Sequence, residues 1–200
     1  MKHSIYIVGF TCCFIFLLIL GINTGSFKTS YLDIYNSIFH FESQNLVHIS
    51  IINLRLPRVL MAFLVGGALA CSGYLMQISI NNPLADPYIL GTSSAASLGA
   101  NIVFFGFIPI SLFGLYMPSV FAFIFSLVST FLVVQIAKKN GFVQGSKMLL
   151  GGIAMSSLLT SIVALLAFKA DSNEKLRSII FWVMGSFENA KWSQIPFIAI

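Results

Sequence analysis

The 51 residues from Pro87 to Ala137 contain no Asp, Glu, Lys or Arg. A water-facing surface cannot be built from such a stretch. Soluble domains average about 25% charged residues, whereas this chain of 200 residues is 8% charged and 58% hydrophobic, with 20 Phe. The solvent for most of its side chains is therefore lipid. Lipid offers backbone N–H and C=O groups no partners, which leaves helices or closed barrels. A barrel requires apolar and polar residues to alternate. The long unbroken apolar runs here predict an all-α, polytopic membrane bundle.

A helix crosses the hydrocarbon core with about 20 apolar residues. The charge-free runs place a first span at Ile5–Ile22, a second at Pro57–Ile78 and a fifth at Met148–Phe168. The run from Pro87 holds two more, at Thr92–Phe107 and Pro118–Ala137, separated by the breakers Gly106, Pro109, Gly114 and Pro118. Ser178–Phe187 is too short to cross and reads as an interfacial or re-entrant helix. Trp192–Ile200 reads as the start of a truncated sixth span, since nine residues rise only about 13 Å. The expectation is about five complete spans in a single transmembrane domain, residues 1–200.

Several functions are excluded at this level. The net charge of +5 is scattered over span ends and forms no basic stripe, so nucleic acid is not a partner. Cys12, Cys13 and Cys71 lie inside apolar runs, which implies free thiols rather than disulfides or metal ligands. His3, His40 and His48 lie in the N-terminal tail and the first loop, with no nucleophile or carboxylate at catalytic spacing. No nucleotide-binding G-x-x-x-x-G-K-[ST] occurs, so any ATP hydrolysis belongs to another subunit. No cofactor is implied. Lys2 and His3 precede an apolar run that is long for a signal peptide and lacks an A-x-A-like site, which predicts a retained first helix.

Small residues recur every fourth position: Gly91, Ala95, Gly99; Ala122, Ser126, Thr130; Gly152, Ser156, Thr160, Ala164. Such stripes let helix backbones approach closely. Tight packing is the first reading and lining of a pore the second.

Residues 54–100 read LRLPRVLMAFLVGGALACSGYLMQISINNPLADPYILGTSSAASLGA. This resembles the FecCD-type permease family of ABC importers. That family carries R-x-P-R, then G-A-x-L-A-x-S-G-x-x-x-Q, then N-P-L-A-x-P-x-x-L-G. The matching residues are Arg55, Pro57, Arg58; Gly67, Ala68, Leu69, Ala70, Ser72, Gly73, Gln77; and Asn82, Pro83, Leu84, Ala85, Pro87, Leu90, Gly91. Leu149–Leu159 and Phe181–Trp192 agree with the family as well. The resemblance covers the chain from Leu54 onward and only the first half of a family permease, so the chain reads as truncated or as one piece of a split gene.

The resemblance implies a bacterial inner-membrane permease subunit that works with a second permease copy or paralogue. A cytoplasmic ATPase dimer and an extracytoplasmic solute-binding protein complete the assembly. The implied cargo is a metal chelate, an iron siderophore first, with haem and cobalamin as alternatives. It implies that Arg55, and less strongly Arg58, docks the solute-binding protein at the outer mouth of the second span, where a guanidinium meets a carboxylate in two hydrogen bonds. Headgroup snorkelling is the competing role. Gln77, Gly145, Ser146, Ser156 and Thr160 become candidates for the path or its inner gate. For Gln77 an interhelical hydrogen bond is the plainer role. Asn82, Pro83 and Pro87 form a turn on the cytoplasmic side.

The family orientation puts Lys28–Asn53 outside and Lys138–Lys147 inside. The positive-inside count then runs four against seven the wrong way. Two rivals remain: a non-transporting remnant, and a membrane enzyme, which would need an ionisable cluster that the spans lack.

Overall fold

A computed structural model describes residues 2–25, 28–83, 85–108, 116–139 and 141–199. The expected breakers Pro109 and Gly114 lie outside them. Among the described residues the regular elements are helices, apart from one two-stranded ribbon. Its contacts divide into two compact units, residues 1–68 with 187–200, and residues 69–186.

In the first unit, α1 (Lys2–Asn23) is strongly apolar and only 6% of its apolar window is buried within the chain, which leaves most of it open to lipid or to other protein. α2 (Tyr31–Phe39) begins at a capping box: Ser30 accepts from the helix and Asp33 accepts from Ser30 N–H at 2.7 Å. This satisfies donors that the first turn would otherwise leave orphaned. α3 (Leu46–Ser50) is capped by Asn45, and its His48 is buried with Nδ1 accepting from Glu42 N–H at 3.1 Å.

α3 does not stop before the second span. It continues through a π-helical turn, Ile51–Arg55, into α4 (Leu56–Ile80), giving 35 helical residues without a break. Pro57 therefore stands inside a helix rather than in its first turn, which corrects the expected start of this span. The π turn explains how proline is accommodated. In that ladder Leu56 N–H reaches Ile51 O, and Pro57 has no N–H to offer the next carbonyl, Ile52 O. The Trp192 indole N–H, from the 3₁₀ turn Trp192–Gln194, takes that acceptor at 2.9 Å. α9 (Ile195–Ile198) follows.

In the second unit, α4 ends at a left-handed Asn81 (φ 53°), with Asn81 N–H on Ile78 O and Asn82 N–H on Gln77 O. This is the paired closure of a helix C-terminus usually built on glycine. α5 (Thr92–Phe104) is 13 residues long, about 20 Å, and is shorter than a crossing. Its end has the same closure: Gly106 (φ 78°) donates to Val103 O and Phe107 to Ile102 O. The expected third span is thus a short helix buried among α6 (Met117–Ala137), α7 (Gly145–Phe168) and α8 (Asn173–Met184). Among the described residues four helices are long and apolar enough to cross a membrane: Ser4–Asn23, Leu46–Ile80, Met117–Ala137 and Gly145–Phe168.

Between α6 and α7 lies a ribbon, β1 (Lys138–Lys139) against β2 (Phe142–Val143). The sequence between the strands includes Gly141, whose left-handed φ of 85° suits a tight hairpin turn. α8 starts earlier than Ser178. Ser172 caps it, and Lys175 Nζ donates to Asp171 at 3.0 Å, which holds that exposed carboxyl below its ordinary value.

The small-residue stripes are contact surfaces. A Cβ on Gly99 would collide with the backbone of Phe121, and one on Gly152 with the carbonyl of Ile89. Ser126 Oγ reaches Thr92 O at 2.9 Å and Ser129 Oγ reaches Leu90 O at 3.0 Å, tying α6 to the segment that leads into α5.

Candidate functional site

Gly91 turns the chain into α5. Its φ of 72° is a left-handed conformation, and a side chain there would meet Ser129, Met155 and Ser156. The tight turn brings the first two turns of α5 beside the middle of α7. Between α5, α7 and α8 lies a cavity of about 390 Å³, lined by Tyr88, Ser93, Ser94, Ser97, Ser156, Thr160 and Trp182, with Ala96, Val163 and Val183. Trp182 is set edge-on to Phe104, ring centroids 5.7 Å apart.

The hydroxyls of this cavity differ from others on the same helix. On α7, the exposed Ser157 and Ser161 donate to carbonyls one turn back, Ile153 O at 2.9 Å and Ser157 O at 2.8 Å. That internal bond is what an uncovered hydroxyl in hydrocarbon requires. Among the described residues Ser93, Ser156 and Thr160 make no such bond and line the cavity instead. Ser94 Oγ donates to Gly91 O at 3.1 Å, and Ser97 Oγ accepts from Asn101 Nδ2 at 3.3 Å. Asn101 is fully buried, with Oδ1 unpaired among the described residues. No charged side chain is among the described lining residues. The cavity can therefore offer a guest several neutral donors and acceptors and one aromatic face.

Ser156 and Thr160 are thus brought together. Gln77 is not with them. It lines a second, shallower hollow of about 250 Å³ with Tyr74, Ile78, Asn81, Asn82 and Pro83. Gly145 opens α7 and lies so close to α4 that a Cβ would be 2.8 Å from Ile80 O, while Ser146 is exposed beside it. Pro87 packs on Gly73, at 3.6 Å from where its Cβ would be. Tyr88, Ser93, Ser94, Ser97 and Trp182 were not among the expected path residues. For the serines a signal was present in the hydroxyl-rich run Thr92-Ser93-Ser94-Ala95-Ala96-Ser97; Tyr88 and Trp182 carried none.

The two arginines belong to the first unit. Arg55 does not stand in water. It is 6% exposed, and its Nη1 reaches Ile22 O at 2.9 Å, Asn23 O at 3.2 Å and Thr29 Oγ1 at 3.0 Å. It braces the C-terminus of α1, where a cation also meets the negative end of the helix dipole. The expected exposed position is corrected by the π turn, which puts Arg55 within a continuous helix and turned toward α1. Arg58 is half-buried and donates through Nε and Nη2 to Glu188 O, at 3.2 and 2.9 Å. Cys12, Cys13 and Cys71 are free and exposed. Among the described residues no group of His, Cys, Asp and Glu could hold a metal ion.

The profile of the FecCD transport family matches residues 13–200. The chain belongs to that family. Among its FecCD relatives, the hemin transport system permease protein HmuU of Yersinia pestis is 36% identical over 94% of this chain and 55% of its own length. The molybdate import system permease protein MolB of Haemophilus influenzae is 36% identical over 75% of this chain and 43% of its own length. The vitamin B12 import system permease protein BtuC of Vibrio vulnificus is 36% identical over 81% and 46%. A solved metal-chelate type ABC transporter in an inward-facing conformation superposes with a TM-score of 0.76 and 30% identity, over 97% of this chain and 57% of that one. The chain spans about half the length of the curated relatives it matches.

Proposed function

We propose that this FecCD chain contributes to the permease of an ABC importer in a bacterial inner membrane, and that its cargo is a bulky metal chelate, an iron siderophore first. The observation that carries the reading is the cavity between α5, α7 and α8, whose hydroxyls at Ser93, Ser156 and Thr160 are left uncommitted while those of Ser157 and Ser161 are closed on their own helix. A chelate has its metal charge neutralised by its own ligands and presents a polar, uncharged shell. Neutral hydroxyls and an indole match that shell. A bare oxyanion such as molybdate calls for cationic or backbone N–H donors, and none of the described lining side chains is charged.

The importer would join a second permease copy or paralogue, an ATPase dimer that hydrolyses ATP on the cytoplasmic side, and an extracytoplasmic solute-binding protein. In this proposal Arg58 is the docking guanidinium of the first unit. Its Nη1 is uncommitted among the described residues, whereas Arg55 is committed to α1. Gln77, Gly145 and Ser146 sit at the α4–α7 contact and its hollow, which is assigned to the gate.

Filling the cavity tests this. In the permease that contains these residues, Ser156→Trp and Thr160→Trp should reduce ATP-dependent ferric-siderophore uptake at least about tenfold, as a loss of about 1.4 kcal/mol would. Membrane abundance should be unchanged, and Leu158→Trp on the exposed face should have little effect. Undiminished uptake in both cavity variants would refute the assignment.

A further inference from the structure

α2 is amphipathic in the reverse of the usual sense. Its exposed residues are Tyr31, Leu32, Tyr35, Ile38 and Phe39, which fall on one continuous stripe at helical spacing. The opposite side carries Asp33, Asn36 and Ser37. Ser37 is 1% exposed and its hydroxyl donates to Asp33 O at 2.6 Å. The helix therefore turns polar groups inward and an uncharged, aromatic-rich face outward. Tyr35 and Phe39 extend the surface as a ring pair, centroids 4.9 Å apart.

Its tethers fix where this face lies. α2 starts eight residues after the last residue of α1, and seven residues after α2 the helix Leu46–Ile80 begins. Both neighbours are long and apolar enough to span. Thr29, at the entrance to α2, donates to Asn23 O at 3.2 Å and Oδ1 at 3.0 Å, and Arg55 joins the same knot. α2 is thus held at the end of one span and beside the start of another, at the depth of the lipid headgroups.

We infer that α2 is an interfacial helix, lying in the membrane plane with Tyr31, Leu32, Tyr35, Ile38 and Phe39 inserted at the headgroup–acyl boundary of the leaflet in which α1 ends. Tyrosine suits that depth because its ring is apolar and its hydroxyl reaches water. A contiguous patch of five large apolar residues facing water would instead favour aggregation. A soluble partner protein would cover the face only while bound; lipid covers it throughout. Asp33, the one acidic or basic side chain of the helix, is on the other side and engaged in the cap.

Nitroxide scanning tests this. Cys12, Cys13 and Cys71 are replaced by serine, and single cysteines are labelled at Leu32, Phe39 and, as a water-facing control, Ser43. The chain is reconstituted in vesicles of phosphatidylcholine and phosphatidylglycerol. Oxygen should relax the labels at 32 and 39 more than a water-soluble nickel chelate does, at a depth of about 5–10 Å below the phosphates. The label at 43 should show the reverse. Nickel dominance at 32 and 39 would place the face in water. Low access to both reagents would place it against other protein. Either outcome overturns the inference. A variant with Tyr35→Trp, Trp182→Phe and Trp192→Phe gives an independent reading. Lipids brominated near the carbonyl end should quench its emission and aqueous acrylamide should not; strong acrylamide quenching would contradict the insertion.

Discussion

Arg55 and Gly25 form a unit that neither residue type announces. A Cβ at Gly25 would lie 2.7 Å from Arg55 Cζ, so the guanidinium occupies the space that the glycine leaves. Hydrogen bonds from a buried charge to the last carbonyls of a helix contribute about 1.5–3 kcal/mol each at most. Arg55→Ala should therefore destabilise the protein by about 2–3 kcal/mol. Gly25→Ala should cost about 1–3 kcal/mol through overpacking. The double variant should be little worse than Arg55→Ala alone, because the clash needs the guanidinium, and unfolding in mixed micelles would show that non-additivity. Full additivity would mean the two residues do not meet. The charge reversal Arg55→Glu sets a carboxylate against carbonyl oxygens. Lost uptake in that variant should go with lowered abundance or impaired α1 insertion, since Arg55 is committed to α1. The sequence motif R-x-P-R pointed to Arg55 as a special residue, but its direction was not legible. One extra residue per turn in Ile51–Arg55 rotates the helix, and π turns have no compositional mark.

Elements were more legible than the joints between them. The every-fourth-residue stripes predicted close helix contacts, and Gly99 and Gly152 are such contacts. Gly152→Ala, which forces a Cβ onto the Ile89 carbonyl, should cost about 1–3 kcal/mol, while the exposed Gly66→Ala, with open space around it, should cost far less. α5 was expected through Phe107 and ends at Phe104, because Gly106 closes it by a left-handed cap. The turn at Asn82-Pro83 was visible, yet the residue that ends α4 is Asn81, whose left-handed conformation becomes clear only from the paired bonds around it. The π turn also depends on a distant residue. Trp192→Phe removes the donor to Ile52 O and should cost about 1 kcal/mol. In a Pro57→Ala background the loss should shrink, since the new N–H can supply that carbonyl. An equal loss in both backgrounds would contradict this account of Trp192.

At the scale of the molecule, composition decided the solvent and hence the class. Absence of charge over 51 residues is a property that no packing detail can reverse. The number of crossings was harder to read, because an apolar helix buried among other helices and one facing lipid have the same composition. Four described helices meet the length of a span, and α5 does not. The cavity was half legible: Ser156 and Thr160 stood on a stripe, but which hydroxyls close on their own backbone and which stay open is a matter of three dimensions. Orientation follows from the proposed importer. Cysteines at Ser43 and Gln144, in a background without the native three, should be labelled from opposite sides of intact cells, Ser43 from outside. Labelling of Gln144 from outside would invert the topology.

The central claim, that these residues serve chelate import, is tested most directly by cargo competition in proteoliposomes. They would contain the permease bearing residues 1–200, its ATPase and its solute-binding protein, with ATP supplied to the ATPase side. Labelled ferric hydroxamate should accumulate only when ATP and the binding protein are both present, and excess unlabelled molybdate should leave its rate unchanged. Accumulation of labelled molybdate in place of the ferric chelate, under the same dependence on ATP and binding protein, would contradict the account.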